Sequence, residues 1–161
     1  MRALTCETHV CGSRVAAHAG LNRLPQREYL LRMDLKITFP GQKRVDASFD
    51  GFTVHTDQPA SGGGEGSAPG PFDLYIASLG TCAGIYVLGF CQARQLSTEG
   101  LSLSQHVDFD AETHLPTKVT LTVNLPEGFP EKYRAAIVRT AEQCKVKKSI
   151  AAAPIVTVAV A

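Results

Sequence analysis

The sequence predicts an α+β domain in the order βββ-α-ββ-α-β, and three observations carry that prediction. Apolar and polar residues alternate from Leu35 to Thr56 and again from Leu101 to Leu125, the period of strands buried on one face. Between these stretches, Leu74 to Cys91 runs eighteen residues without a charge, longer than an ordinary strand. Further on, Tyr133, Ile137, Thr140, Ala141 and Cys144 fall at i, i+4, i+7, i+8 and i+11, which is one face of a helix.

Taken in order, Leu35, Ile37 and Phe39 point to one side of a first strand, and Pro40-Gly41 supplies a turn. Val45, Ala47 and Phe49 continue the alternation. Asp50-Gly51 then marks a two-residue hairpin, because a type I′ turn needs positive φ at both central positions. Phe52, Val54 and Thr56 complete a three-strand meander. Residues 57–70 form a loop in which Gly62, Gly63, Gly64 and Gly66 leave the backbone loose. No Gly-Lys-Ser/Thr follows, so a connector or active-site flap fits better than a phosphate cradle. Glu65 on this loop reads as a solvated charge.

Pro71 opens the first helix, where a missing N–H costs nothing. By length the uncharged run could span a membrane. The rest of the chain, however, is amphipathic sheet that needs a helix to cover it, which makes this the central core helix. Its small residues Ala77, Gly80, Thr81 and Gly84 form a stripe on which another helix could approach closely. The helix is expected to end near Gln95. Leu101, Leu103, Val107 and Phe109 then read as one strand, and Val119, Leu121, Val123 and Leu125 as its hairpin partner. Pro126 to Pro130 turns the chain into the second helix, with Lys145, Lys147 and Lys148 at its negative end. Ser149–Ala153 adds a short turn, and Ile155, Val156, Val158 and Val160 read as a last strand.

Composition narrows the function. With 161 residues the expectation is one domain, 34–161, preceded by an N-terminal extension, 1–33, that lacks a clear period. The extension reads as disordered or as outside the native chain, with Met33 a candidate start. Its Arg-rich, acid-poor character also fits an organelle transit peptide. Sixteen basic residues face fifteen acidic ones, so the concentrated field that nucleic acids or acidic membranes require is missing. Five cysteines (Cys6, Cys11, Cys82, Cys91 and Cys144) are odd in number and widely spaced. A disulfide scaffold is not indicated, and a cytoplasmic protein with reduced thiols is expected. No zinc-ligand spacing recurs, and His55 and His114 have no neighbour at ligand spacing, so neither metal nor cofactor is expected. Cys91 lies about 180° round the helix from Cys82 and reads as a core cysteine.

The segments GPFDLYIASLGTCAG, around Cys82, and AEQCKVKKSI, around Cys144, resemble the two cysteine motifs of the OsmC/Ohr family, and the resemblance extends over residues 34–161. It implies an OsmC-like fold with two long helices packed between antiparallel sheets, in an intertwined homodimer. It also implies a thiol peroxidase that reduces small organic hydroperoxides and is recycled by an external dithiol. Cys82 would be peroxidatic and Cys144 resolving. The family's peroxidases place an arginine from the first sheet beside the thiolate, held by a glutamate after the motif proline. Arg44, or alternatively Lys43, would be the cation here. The glutamate position holds Phe72, and the acid comes one residue later, at Asp73, which reads equally as a site residue or as a helix cap. On a straight helix Asp73 and Cys82 are about 13 Å apart. Cys82 itself sits mid-helix among apolar residues, an environment that raises a thiol pKa, so a cation from elsewhere in the fold is required. Tyr75 and Tyr86 would line an apolar pocket. Phe72 favours a second reading, a non-peroxidase protein binding an apolar or sulfur-containing small molecule at the dimer interface.

Overall fold

The computed structural model describes residues 32–160; the expectations for Cys6, Cys11 and most of the N-terminal extension fall outside them. Strands β1 (Lys36–Gly41), β2 (Arg44–Phe49) and β3 (Phe52–Thr56) form an antiparallel meander. Its register pairs Ile37 with Ala47, Ala47 with Val54, and Phe49 with Phe52. The Asp50-Gly51 turn has φ of 48° and 79°, the two positive values a tight hairpin demands. The first hairpin turns slightly later than Pro40-Gly41 indicates. Gly41 still pairs with Arg44, and Gln42 takes the left-handed φ of 53°.

Helix α1 (Pro71–Gln92) follows, then strands β4 (Ser102–Phe109) and β5 (Pro116–Asn124), paired antiparallel with Leu103 opposite Val123 and Val107 opposite Val119. Two short helices close the domain, α2 (Glu131–Ala141) and α3 (Lys145–Ala151). The result is the α+β class, with the helices on one face of the β4–β5 pair. Val87, Phe90 and Cys91 of α1 make the core with Phe129 and Ile137. Phe90 meets Tyr133 edge-on at 5.8 Å between ring centres, and the Arg94 guanidinium lies 3.9 Å over the Phe90 ring. Helix α1 is long and apolar enough to cross a membrane by length and composition alone, but its Val87–Cys91 flank is the core of this domain.

Several expectations are corrected. Gly80 admits a strand rather than a helix: a Cβ there would lie 2.8 Å from Gln105 Oε1 on β4, and Gly84 faces open space. Gln105 uses the approach to donate its side-chain N–H to the Ile76 carbonyl at 2.9 Å. The second helix does not run through Cys144. It stops at Ala141, and Cys144 begins a separate helix as its N-cap. The last strand does not form. Residues 153–160 have no paired strand, and Val158 and Val160 are 97% and 100% exposed. Alternation and β-branching supply strand propensity, but a strand exists only with a hydrogen-bonded neighbour. The glycine loop is not loose either. It folds around Asp57, which is 1% exposed and accepts hydrogen bonds from the N–H groups of Gln58, Glu65 and Ser67 and from the Ser67 hydroxyl, at 2.8–3.1 Å.

Candidate active site

The structure brings Cys82 and Cys144 together across 62 residues of sequence. Cys82 is half-buried in the middle of α1, and Cys144 is fully buried between α2 and α3. The placement of Cys144 follows from local backbone chemistry. After Ala141 the chain tightens, with Gln143 N–H donating to Thr140 O and Cys144 N–H to Ala141 O. Cys144 then adopts an extended conformation (φ −44°, ψ 121°), and its sulfur accepts the Lys147 N–H at 3.4 Å. This is the N-cap role that serine or aspartate usually fills. Its thiol also lies 3.7 Å from the Leu79 carbonyl as donor.

The two thiols influence each other, and their acidities move in opposite directions. Burial pushes the Cys82 thiol up. The N–H of Val146, the Cys144 thiol, the N–H of Lys145 and the Lys145 ammonium more than offset this, so its pKa is lowered. Cys144 is raised, first by burial and then by the Cys82 sulfur and its charge, against the N–H groups of Lys147 and Val146. Two interacting titratable groups driven apart in this way mark distinct roles. Cys82 is the more acidic thiol of the pair and Cys144 the less acidic.

Other singled-out residues lie elsewhere. Arg44 begins β2, exposed and paired with Gly41; among the described residues of one chain, Lys145 is the charged group that lowers the Cys82 thiol. The Lys43 side chain rests against the loop at Gly63. Asp73 is a cap: its carboxylate accepts the Gly70 N–H at 2.9 Å, on the turn that starts α1. Phe72 packs against Tyr75 and Phe109 with tilted rings, 5.6 Å and 6.5 Å between centres, a partly exposed aromatic cluster. A largely apolar cavity of about 360 Å³ lies beside Cys144, between β5, α2 and α3; Leu79 borders it, whereas Tyr75 and Tyr86 do not.

Lys145 and Val146 beside Cys82, and Asp57 away from the site in the glycine loop, were not legible in these roles. Lys145 and Val146 read as the C-terminal end of one helix, whereas they open a new one. The available cue was a cysteine followed by a basic residue, a pattern that also suits a thiol at a helix start. Asp57 carried a weaker cue, an acid opening a glycine-rich stretch that a carboxylate can organise through backbone N–H groups.

With the geometry established, comparisons place the chain among known proteins. Residues 64–159 match the family model described as OsmC-like protein. No curated protein matches. Among solved structures, an osmotic stress induced and detoxification response protein of Psychrobacter arcticus 273-4 is similar, with TM-score 0.61 and 23% identity, covering 71% of this chain and 85% of that one. An OsmC-like protein of Mycoplasma pneumoniae gives TM-score 0.60 at 12% identity, covering 76% and 89%. An organic hydroperoxide resistance protein of Elizabethkingia anophelis gives 0.53 at 16%, covering 80% and 90%. At these identities the structural likeness speaks to fold. The family match spans more than half of the sequence, and the chain belongs to the OsmC-like protein family.

Proposed function

We propose that this protein is a thiol peroxidase that reduces organic hydroperoxides in oxidative-stress protection. The observation that carries the reading is that the fold sets Cys82 of α1 beside Cys144 at the start of α3, close enough for each thiol to shift the other's acidity, in opposite directions. In the reaction, the Cys82 thiolate attacks the outer oxygen of R′OOH and the O–O bond breaks. The alkoxide leaves and takes up a proton as R′OH, and Cys82 becomes a sulfenic acid. Cys144 then attacks the Cys82 sulfur and gives up its proton. Water leaves and a disulfide forms. An external dithiol returns both cysteines to thiols by exchange. Attack on a peroxide needs a thiolate, and the Lys145 and Val146 N–H groups favour that form.

In this reading Asp73 acts indirectly, by fixing the start of α1. Arg44 is an exposed guanidinium that a second copy could bring into play. We place the protein in the cytoplasm as a homodimer. The homodimer is supported by apolar side chains exposed on α1 (Ile85, Leu88), on the first sheet (Ile37, Phe39, Phe52) and along the C-terminal segment, more than a monomer ordinarily presents to water. Light scattering at micromolar concentration should return twice the chain mass, and a monomer would end the dimer assignment.

The test of function is thiol titration before and after one equivalent of cumene hydroperoxide. Two thiols should disappear rapidly, with the Cys82 and Cys144 peptides joined by mass spectrometry, and Cys82→Ser should abolish the loss. Unchanged thiols after long exposure would refute the peroxidase. They would leave the second reading, a binder of apolar or sulfur-containing small molecules, which Phe72 in place of a carboxylate favours.

A further inference from the structure

In the proposed cycle the disulfide between Cys82 and Cys144 is opened by a thiolate that attacks one sulfur and expels the other. Two properties decide which: the acidity of the thiol that leaves, and the room the attacker has. They disagree here. Cys82 is the more acidic thiol of the pair, and the more acidic thiol leaves faster. Acidity alone would therefore direct the attacker to Cys144.

Access directs it to Cys82. Cys144 is 0% exposed. Its sulfur lies 3.7 Å from the Leu79 carbonyl oxygen and 3.4 Å from the Lys147 nitrogen, and its N–H is bound to the Ala141 carbonyl. Leu79, Ala141 and Lys147 line the cavity between β5, α2 and α3, but Cys144 does not, so the cavity offers no path to the sulfur. All of this burial arises within one chain, and a second copy can only cover more. Cys82 is half-buried instead, and its α1 neighbours Thr81 and Ile85 are exposed. An attacking sulfur lines up with the S–S bond on the side away from the sulfur that leaves. For Cys82 that side faces away from the buried Cys144, and for Cys144 it leads into the packed interior. A poorer leaving group still leaves, whereas a sulfur without accessible surface is reached only in the small fraction of molecules that have opened locally. Access therefore wins.

We propose that the reductant enters at Cys82 alone, forming a mixed disulfide there and releasing Cys144. The bond from the reductant's sulfur to Cys82 forms as the Cys82–Cys144 bond breaks, and Cys144 takes the electron pair and then a proton. The reductant's second thiolate attacks its own first sulfur, closes the reductant's disulfide and expels Cys82 with its electron pair. The acidity order that opposes the first step favours this second one. Cys82 is the better leaving group, and Cys144, holding its proton more tightly, is slow to attack the mixed disulfide and send the reductant back. The proposal rests on the proposed function only in taking the Cys82–Cys144 disulfide as the oxidised state.

The experiment oxidises the full chain with diamide, which takes the two thiol hydrogens to become the hydrazine and leaves the disulfide, verified by peptide mass. The oxidised protein then meets N-acetylcysteine for a series of short times, and each sample is quenched with N-ethylmaleimide in denaturant and mapped by peptide mass. The N-acetylcysteine adduct should sit on the Cys82 peptide and maleimide on the Cys144 peptide, in roughly tenfold or greater excess over the reverse pattern at the earliest times. In concentrated urea, where burial is lost, the excess should fall to about twofold or less. The proposal is overturned by adducts on Cys144, by equal adducts on both, or by a Cys82 excess that persists undiminished in urea. It is likewise overturned by a disulfide that N-acetylcysteine opens only in denaturant, or by failure of diamide to join the two cysteines. Inertness to cumene hydroperoxide with the adduct on Cys82 would refute the peroxidase and keep the entry point. Rapid oxidation by cumene hydroperoxide with the adduct on Cys144 would do the reverse.

Discussion

Replacing Lys145 by proline isolates the groups that hold charge on Cys82. Position 145 is the first residue of α3, where proline removes no intrahelical hydrogen bond and its φ is already suitable. The preceding residue, Cys144, has ψ of 121°, the extended conformation that a following proline favours. The substitution therefore leaves the helix in place and removes two things from Cys82, the Lys145 N–H and its ammonium. A hydrogen bond to a charged group contributes about 1.5 kcal/mol at the low end, roughly tenfold in thiolate population. An exposed ion pair adds about 0.5 kcal/mol, roughly twofold. Lys145→Pro should thus slow alkylation of Cys82 by iodoacetamide about twentyfold at pH 7, followed on the Cys82 peptide by mass spectrometry. Lys145→Ala, which keeps the N–H, should slow it only about twofold. Since the native pKa is lowered, the variant's rate profile moves to higher pH, and the two proteins converge once both are fully thiolate. An unchanged rate at pH 7 in a Lys145→Pro protein with native melting and circular dichroism would refute activation by the start of α3.

Other outcomes follow from the same structure. Asp57 is held at about 2, against 3.8 for a free carboxyl, chiefly by the Ser67 N–H, and then by the Ser67 hydroxyl and the N–H groups of Gln58 and Glu65, against its own burial. The unfolded chain then takes up this proton first, so its contribution to stability is full above about pH 4 and lost as pH falls towards 2; Asp57→Asn should flatten the urea midpoint across that window. Gly64→Ala would set a Cβ 2.0 Å from the Gln58 carbonyl oxygen, so the 57–70 loop should become the first site of limited proteolysis. Ile137→Ala removes a fully buried side chain from the core and should cost about 2–5 kcal/mol in chemical denaturation.

The parts of the fold legible in the sequence were those with a periodic hydrophobic signal or a strong turn signal. The meander, the uncharged helix and the second hairpin each repeat a pattern over several residues, and Asp50-Gly51 names its own turn. The break between α2 and α3 was hidden because the apolar face continues to Cys144 and because a sulfur cap lacks the serine or aspartate that usually announces one. The C-terminal strand was over-read because periodicity reports a preference for pairing, not the presence of a partner. At the site, the two sulfurs were found by their motifs and a charge from elsewhere in the fold was expected, but its source was sought in the first sheet rather than at the start of α3. An apolar helix interior does raise the Cys82 thiol, and that cause is present. What sequence could not display is that two N–H groups more than sixty residues away arrive at the same sulfur.

That change of source bears on the departure at Phe72. In the resemblance on which the peroxidase reading draws, a carboxylate has one task, to hold an arginine against the reactive sulfur. A chain that supplies its cation from the residue next to the second cysteine needs no such holder. Here Lys145 is anchored by α3 itself, Asp73 is occupied with the Gly70 N–H, and Phe72 packs with Tyr75 and Phe109. The consequence separates this arrangement from an arginine-dependent one. Arg44→Ala should leave the alkylation rate of Cys82 at pH 7 within about twofold of the native value, whereas Lys145→Pro lowers it by an order of magnitude. A large loss on Arg44→Ala, with the assembly state unchanged, would mean that the first sheet supplies the essential cation after all and that the start of α3 is secondary.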